Sequence, residues 1–160
     1  MPFGRQKRKR RQSGADLLET SLIIVPLFGL IFLMLDLSMA LFLRSTLQNA
    51  VRDGVRYGIT GNNSPGPCQD DSIKAVVKTN AIGFLNSTSA AADIHVHFMS
   101  PVDGSHSSNA PGNIIEVSVE GYTFHLLAPY HHTGNPVLWA RAYDVVEPYT
   151  GSPPCLTVSE

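Results

Sequence analysis

The residues of this chain that could do chemistry are six histidines, two cysteines and two carboxylates set in an apolar run. His95 and His97 stand two apart, a spacing that puts both on one face of a strand, where two imidazoles can ligate a metal. His131 and His132 are adjacent, so their side chains diverge unless the backbone turns. No CxxC, HExxH or carboxylate-rich loop accompanies either pair. The pattern reads as solvent-facing strand and loop histidines, with no metal and no cofactor. Ser100–Ser107 contains Ser, His and Asp, but neither a strained elbow nor a Gly-rich oxyanion motif goes with it. No catalytic residue, and no enzyme, is expected. Cys68 and Cys155 pair if they reside in an oxidising space; otherwise they are two free thiols in Pro-rich loops. Asn62–Ser64 and Asn86–Thr88 match the glycosylation sequon, which matters only in a eukaryotic secretory path.

The two embedded carboxylates, Glu19 and Asp36, interrupt a sequence that is otherwise almost wholly apolar from Leu17 to Leu43. Thr20–Leu43 would form roughly 36 Å of helix at about 1.5 Å per residue. That is enough to cross a hydrocarbon core of about 30 Å with some tilt. A soluble helix seldom stays apolar on every face for this length. A carboxylate at the centre of a span costs about 2.5–3.5 kcal/mol on insertion scales. Glu19 lies near one edge of the run and escapes much of that. Asp36 lies deeper, unless the span ends before it. Pro26 removes one backbone hydrogen bond, which membrane helices tolerate. After Leu43 the pattern turns amphipathic, with Leu47, Ala50, Val51 and Val55 against Arg44, Gln48, Arg52, Asp53 and Arg56. One helix is expected over 15–57, ended by Gly58 and Gly61.

Charge is divided along the chain. Arg5, Lys7, Arg8, Lys9, Arg10 and Arg11 are half of all Lys and Arg. Beyond Tyr57 three basic residues (Lys74, Lys78, Arg141) face nine acids, a net charge of −6. No basic or aromatic surface continues the N-terminal cluster, so it points away from nucleic acid. Lys and Arg beside a span hold that end in the cytoplasm. The expected organisation is a basic cytoplasmic leader (1–14), a long helix (15–57) crossing the membrane over about 20–43, and an extracytoplasmic α+β domain (58–160).

In that domain Asp70 or Asp71 can cap a helix running to about Asn86, with Ile73, Val76, Val77, Ala81 and Phe84 or Leu85 as its apolar face. Ile94–Met99 alternates as a strand, Ile114–Phe124 as a second, and Leu138–Glu147 is a third. Ser100–Asn113 reads as a loop. One or two helices against a three- to four-stranded antiparallel sheet is the expected plan.

The most informative stretch is Gln12-Ser13-Gly14-Ala15-Asp16-Leu17-Leu18-Glu19-Thr20. A basic leader ends in Gly14, a small residue follows, and Glu19 heads the apolar run. This resembles the processing site of type IV prepilins and pseudopilins. The resemblance implies removal of the leader between Gly14 and Ala15 by a membrane prepilin peptidase, leaving Glu19 fifth in the mature chain. A carboxylate there can pair with the new α-amino group of a neighbouring subunit and set register during assembly. Thr20 occupies a position where many pilin-type sequences carry Phe. The stretch Gly14–Tyr57 more closely resembles the TadE-like proteins of tight-adherence pilus systems. It carries Leu18-Glu19-Thr20, Pro26, Asp36 and the block Leu47-Gln48-Asn49-Ala50-Val51-Arg52-Asp53-Gly54-Val55-Arg56-Tyr57. Ile114–Val119, Leu126-Leu127-Ala128-Pro129 and Trp139–Glu147 resemble that family's C-terminal half less specifically.

The resemblance implies a non-enzymatic pseudopilin-like component of a bacterial pilus or secretion apparatus, anchored once in the inner membrane with its C-terminal domain periplasmic or extracellular. Its implied partners are the prepilin peptidase, other pilin or pseudopilin subunits, the inner-membrane pilus platform and the lipid bilayer. A different class of function is an uncleaved single-pass anchor bearing a periplasmic ligand- or metal-binding module, with His95 and His97 as the residues to test. Ser38-Met39-Ala40 also offers the small residues that signal peptidase requires. Asp36 and the amphipathic continuation count against a cut there.

Overall fold

The computed structural model describes residues 12–62, 64, 67–86, 93–125, 135–149 and 154–156. The basic cluster at residues 5–11, the Leu126–Pro129 segment, His131, His132 and part of each sequon lie outside them. Helix α1 spans Gln12–Gly58, α2 Gln69–Asn80, and three strands follow: β1 Ile94–Met99, β2 Ile114–Thr123 and β3 Val137–Val145. The expected α+β plan is therefore observed, with three strands in the order β1-β2-β3, all antiparallel.

The chain divides after Met39 into two compact units. Among the described residues the first is α1 as far as Met39. It is helical throughout, Pro26 included. Its apolar side chains are exposed, Leu22 at 77% and Leu33 at 63%. The hydroxyls of Thr20, Ser21 and Ser38 are satisfied within the helix. Thr20 donates to the Asp16 carbonyl at 2.7 Å, Ser21 to Leu18 at 2.9 Å and Ser38 to Met34 at 2.8 Å. Such local bonds leave few polar groups facing outward, which is what a hydrocarbon environment demands.

The second unit comprises Ala40–His125 and Asn135–Glu160. Its core begins on the last turns of α1. Leu47, Ala50, Val51 and Val55 repeat at helical spacing on one face and are fully or almost fully buried. They meet Ile73, Val77, Ala81 and Leu85 from the α2 segment and the inner face of the sheet. That face is set by register: Val96 pairs with Val117 and Val117 with Ala142, while Phe98 pairs with Ile115. The amphipathic part of α1 thus packs on the sheet of its own chain. A fragment beginning at residue 58 would lack four side chains of this core.

Two glycines allow the close approach. A Cβ on Gly54 would overlap the Val77 side chain, and one on Gly58 would overlap Ile115 and crowd Ile73. The Gly of the Arg52-Asp53-Gly54-Val55-Arg56-Tyr57 block is therefore a packing requirement.

Helix α2 departs from its expected limits at both ends. Cys68 stands at the N-cap, without a side-chain capping bond, and Asp70 and Asp71 fall in the first turn. Carboxylates there still favour the helix dipole. The helix stops at Asn80, not near Asn86, because Ile82 and Gly83 take left-handed backbone conformations (φ 51° and 84°). Ala81 and Leu85 nevertheless reach the core. Strand β2 ends at Thr123, one residue short of expectation, and its register with β3 shifts between Val119 and Tyr122, where Gly121 has φ +77°. A left-handed glycine at such a shift is the usual way to fit an extra residue into one strand.

A buried polar network ties the ends of these elements together. Gln69, fully buried, donates from Nε2 to the Gly58 carbonyl at 2.8 Å. Asn109 donates from Nδ2 to Gln69 Oε1 at 2.5 Å and to the Pro154 carbonyl at 2.9 Å. The Gln69 amide donates to the Cys155 carbonyl, and Tyr149 donates its hydroxyl proton to the Asn109 carbonyl. Beside this network Cys68 and Cys155 form a disulfide.

Two stability outcomes follow for the full chain in neutral detergent. Gly54→Leu should lower the unfolding free energy by about 1–3 kcal/mol, the cost of overpacking, as a reduced urea midpoint for the domain. The double variant Cys68→Ser/Cys155→Ser should lower it by up to about 4–5 kcal/mol, the chain-entropy value for a loop of this size. Dithiothreitol should then shift the wild-type midpoint but not that of the variant.

Candidate processing and assembly region

Gly14, Ala15 and Glu19 lie in the first turns of α1 and all three are exposed. A Cβ at Gly14 would meet nothing within 4 Å, so the helix itself gives no packing reason for glycine there. The bond between Gly14 and Ala15 is within the helix. A glycine in the first turn of a helix lowers the cost of unwinding it. Glu19 lies one helical turn beyond Ala15.

Asp36 behaves differently from its neighbours. Only 4% of it is exposed, while Leu35 and Leu37 are 51% and 61% exposed. The deeper of the two acids is thus withdrawn from the surroundings, which avoids most of the cost of facing hydrocarbon. The shallower, Glu19, faces out.

Past Leu43 the exposed face of α1 carries Arg44, Ser45, Asn49, Arg52, Asp53 and Arg56. Among the described residues no carboxylate lies within ion-pair distance of the three arginines. Gln48 reaches from this helix to the free edge of the sheet and donates to the Arg141 carbonyl at 2.8 Å. Asp144 accepts from the Val145 amide. Both contacts occupy backbone groups on the outer edge of β3, which blunts that edge against pairing with another strand.

The histidines gather more closely than their spacing suggested. His95 and His97 stack on the outer face of the sheet, ring centroids 6.1 Å apart, and His106 from the following loop packs edge-on against His97 at 5.6 Å. His106 arrives there through a single bridge to Met99, a contact that strand alternation alone does not reveal. Among the described residues no group of three or more His, Cys, Asp or Glu is placed to hold a metal ion. The Ser/His/Asp-rich turn serves structure. Ser105 donates from both its amide and its hydroxyl to Asp103 Oδ1, at 3.2 and 2.9 Å, and these bonds hold the Asp103 carboxyl below the usual carboxylate range.

On the same outer face Arg141 bridges two strands. It meets Glu116 at 3.0 Å and Glu120 at 3.0 Å. The Arg141 hydrogen bond holds the Glu120 carboxyl below its ordinary pKa, against a smaller opposing effect of burial.

Residues 14–56 match the family model described as TadE-like protein. The match begins at Gly14 and ends within the Arg-Asp-Gly-Val-Arg-Tyr block, so it covers α1 from its first turn to its last and just over a quarter of the chain. No curated protein and no solved structure matches the chain.

The sign of the Glu120 effect fixes a pH response. A carboxylate with a depressed folded-state pKa stabilises the fold above its unfolded pKa of about 4.3, and this contribution is lost as pH falls through the lower folded value. Because Glu120 is 38% exposed, solvent and salt screen the pair. The urea midpoint of the wild type should therefore fall modestly more between pH 5 and 3 than that of Arg141→Gln, and added salt should narrow the difference. Equal slopes for the two proteins would show that the pair contributes nothing.

Proposed function

We propose that the TadE-like helix makes this protein a non-enzymatic, pseudopilin-like component of a tight-adherence pilus or a related secretion apparatus in the bacterial inner membrane. The observation that carries this reading is the family match over residues 14–56, which begins at Gly14, where the leader would be cut. The exposed apolar stretch of α1 suits a single span, with the six basic residues of the leader on the cytoplasmic side and the disulfide-bonded domain in an oxidising space.

In mechanism, the prepilin peptidase cleaves between Gly14 and Ala15 and frees an α-amino group at the head of the span. Glu19 of one subunit then neutralises that amine on its neighbour. Alone at the membrane edge, each charge is costly; together they select the one axial offset at which both are paired. The bilayer holds the subunit until it joins its partners, other pilin-like subunits and the membrane platform. The folded domain then makes the contacts outside.

The N-terminus and intact mass of the protein purified from its host membranes test this directly. A mature chain beginning at Ala15 is expected, and Gly14→Leu should leave the leader in place. An intact Met1 would remove the processing step and favour an uncleaved anchor. A start at Leu41 would discard the span and overturn both readings.

A further inference from the structure

Three arginines on the far side of the apolar run run counter to the usual charge rule. Lys and Arg concentrate on the cytoplasmic side of a span, yet Arg44, Arg52 and Arg56 all follow it within thirteen residues, on the side opposite the leader. They are exposed, and no carboxylate of the chain pairs with them among the described residues. Their only charged neighbour in that stretch of sequence is Asp53, which leaves 44–56 net positive in a chain that is net −6 beyond Tyr57.

The first two line a single groove. Its walls are Leu41, Arg44, Ser45, Gln48, Asn49 and Arg52. It is apolar at its N-terminal end, where Leu41 is exposed, and polar beyond. Arg44 directly follows the last apolar residue of the run. Arg52 stands about 12 Å further along the helix. The Cα–Cβ bonds of a helix tilt towards its N-terminus, so the long side chain of Arg52 can extend back along the groove that Arg44 also lines. Gln48 between them is fixed by its bond to the Arg141 carbonyl.

We infer that this groove binds the headgroup of an anionic phospholipid on the non-cytoplasmic face of the membrane, with Arg44 and Arg52 on the phosphate. The inference rests on the membrane anchoring proposed above. Charge complementarity points to an anion. The Leu41 end, continuous in sequence with the span, points to a lipid in preference to a soluble anion or to an acidic protein surface. Arginine presents a planar fork of donors suited to phosphate oxygens.

The test uses the full chain in vesicles of phosphatidylcholine alone and of equimolar phosphatidylcholine and phosphatidylglycerol, with retained lipid read by native mass spectrometry. Phosphatidylglycerol should be retained in preference to phosphatidylcholine, by about fivefold per arginine at about 1 kcal/mol each. The preference should vanish in Arg44→Gln/Arg52→Gln and persist in Lys74→Gln, which leaves the helix face intact. Equal retention of both lipids by the wild type would overturn the inference and leave the anchoring untouched. Loss of the preference in Lys74→Gln as well would reduce it to net charge and also overturn it. Displacement of the lipid by inorganic phosphate would assign the groove to a free anion. A dimer without bound lipid, abolished in the double arginine variant, would assign it to a second copy. Failure of the wild type to enter phosphatidylcholine vesicles would sink the anchoring and the inference together.

Discussion

The fold of the second unit depends on the burial of one face of α1 between Leu47 and Gly58. Four apolar side chains and two glycines on that face meet α2 and the sheet. A three-stranded sheet needs a covered hydrophobic face to be stable. The last turns of α1 share that cover with α2. Strand β1 alternates cleanly because one face of the sheet has a helix to cover it, whereas β2 buries Val117, Ser118 and Val119 in succession.

The same helix meets two chemical demands along its length. As far as Phe42 the hydroxyls of Thr20, Ser21 and Ser38 bond to its own backbone and most of its apolar side chains face outward. From Arg44 on, it alternates a buried apolar face with a charged one, as a helix at an aqueous surface must. The change falls at Leu43, which is buried where Leu41 and Phe42 are exposed. Nothing in the backbone marks it: α1 is a single helix through both regimes.

Much of this was legible in the sequence because it rests on periodicity and on apolar length. The end of the long helix and the limits of β1 needed no knowledge of tertiary contacts beyond those signals, whereas the pairing of Cys68 with Cys155 was legible only as conditional on an oxidising compartment. What escaped depends on contacts between residues distant in the chain. The left-handed turn at Ile82–Gly83 ends α2 early, although Phe84 and Leu85 continue its apolar pattern. The clustering of His106 with His97 comes from a loop that folds back on a strand. Gln69 and Asn109 look like ordinary polar loop residues, yet forty positions apart they form the centre of a buried network. In the candidate processing region the spacing of Gly14, Ala15 and Glu19 was readable, whereas the withdrawal of Asp36 from the surface was not.

The disulfide also imposes an order in time. The two cysteines are 87 positions apart, and α2 and all three strands lie between them. A ribosome must therefore have made every one of these elements before the second sulfur exists, so a product stalled within them cannot close the ring.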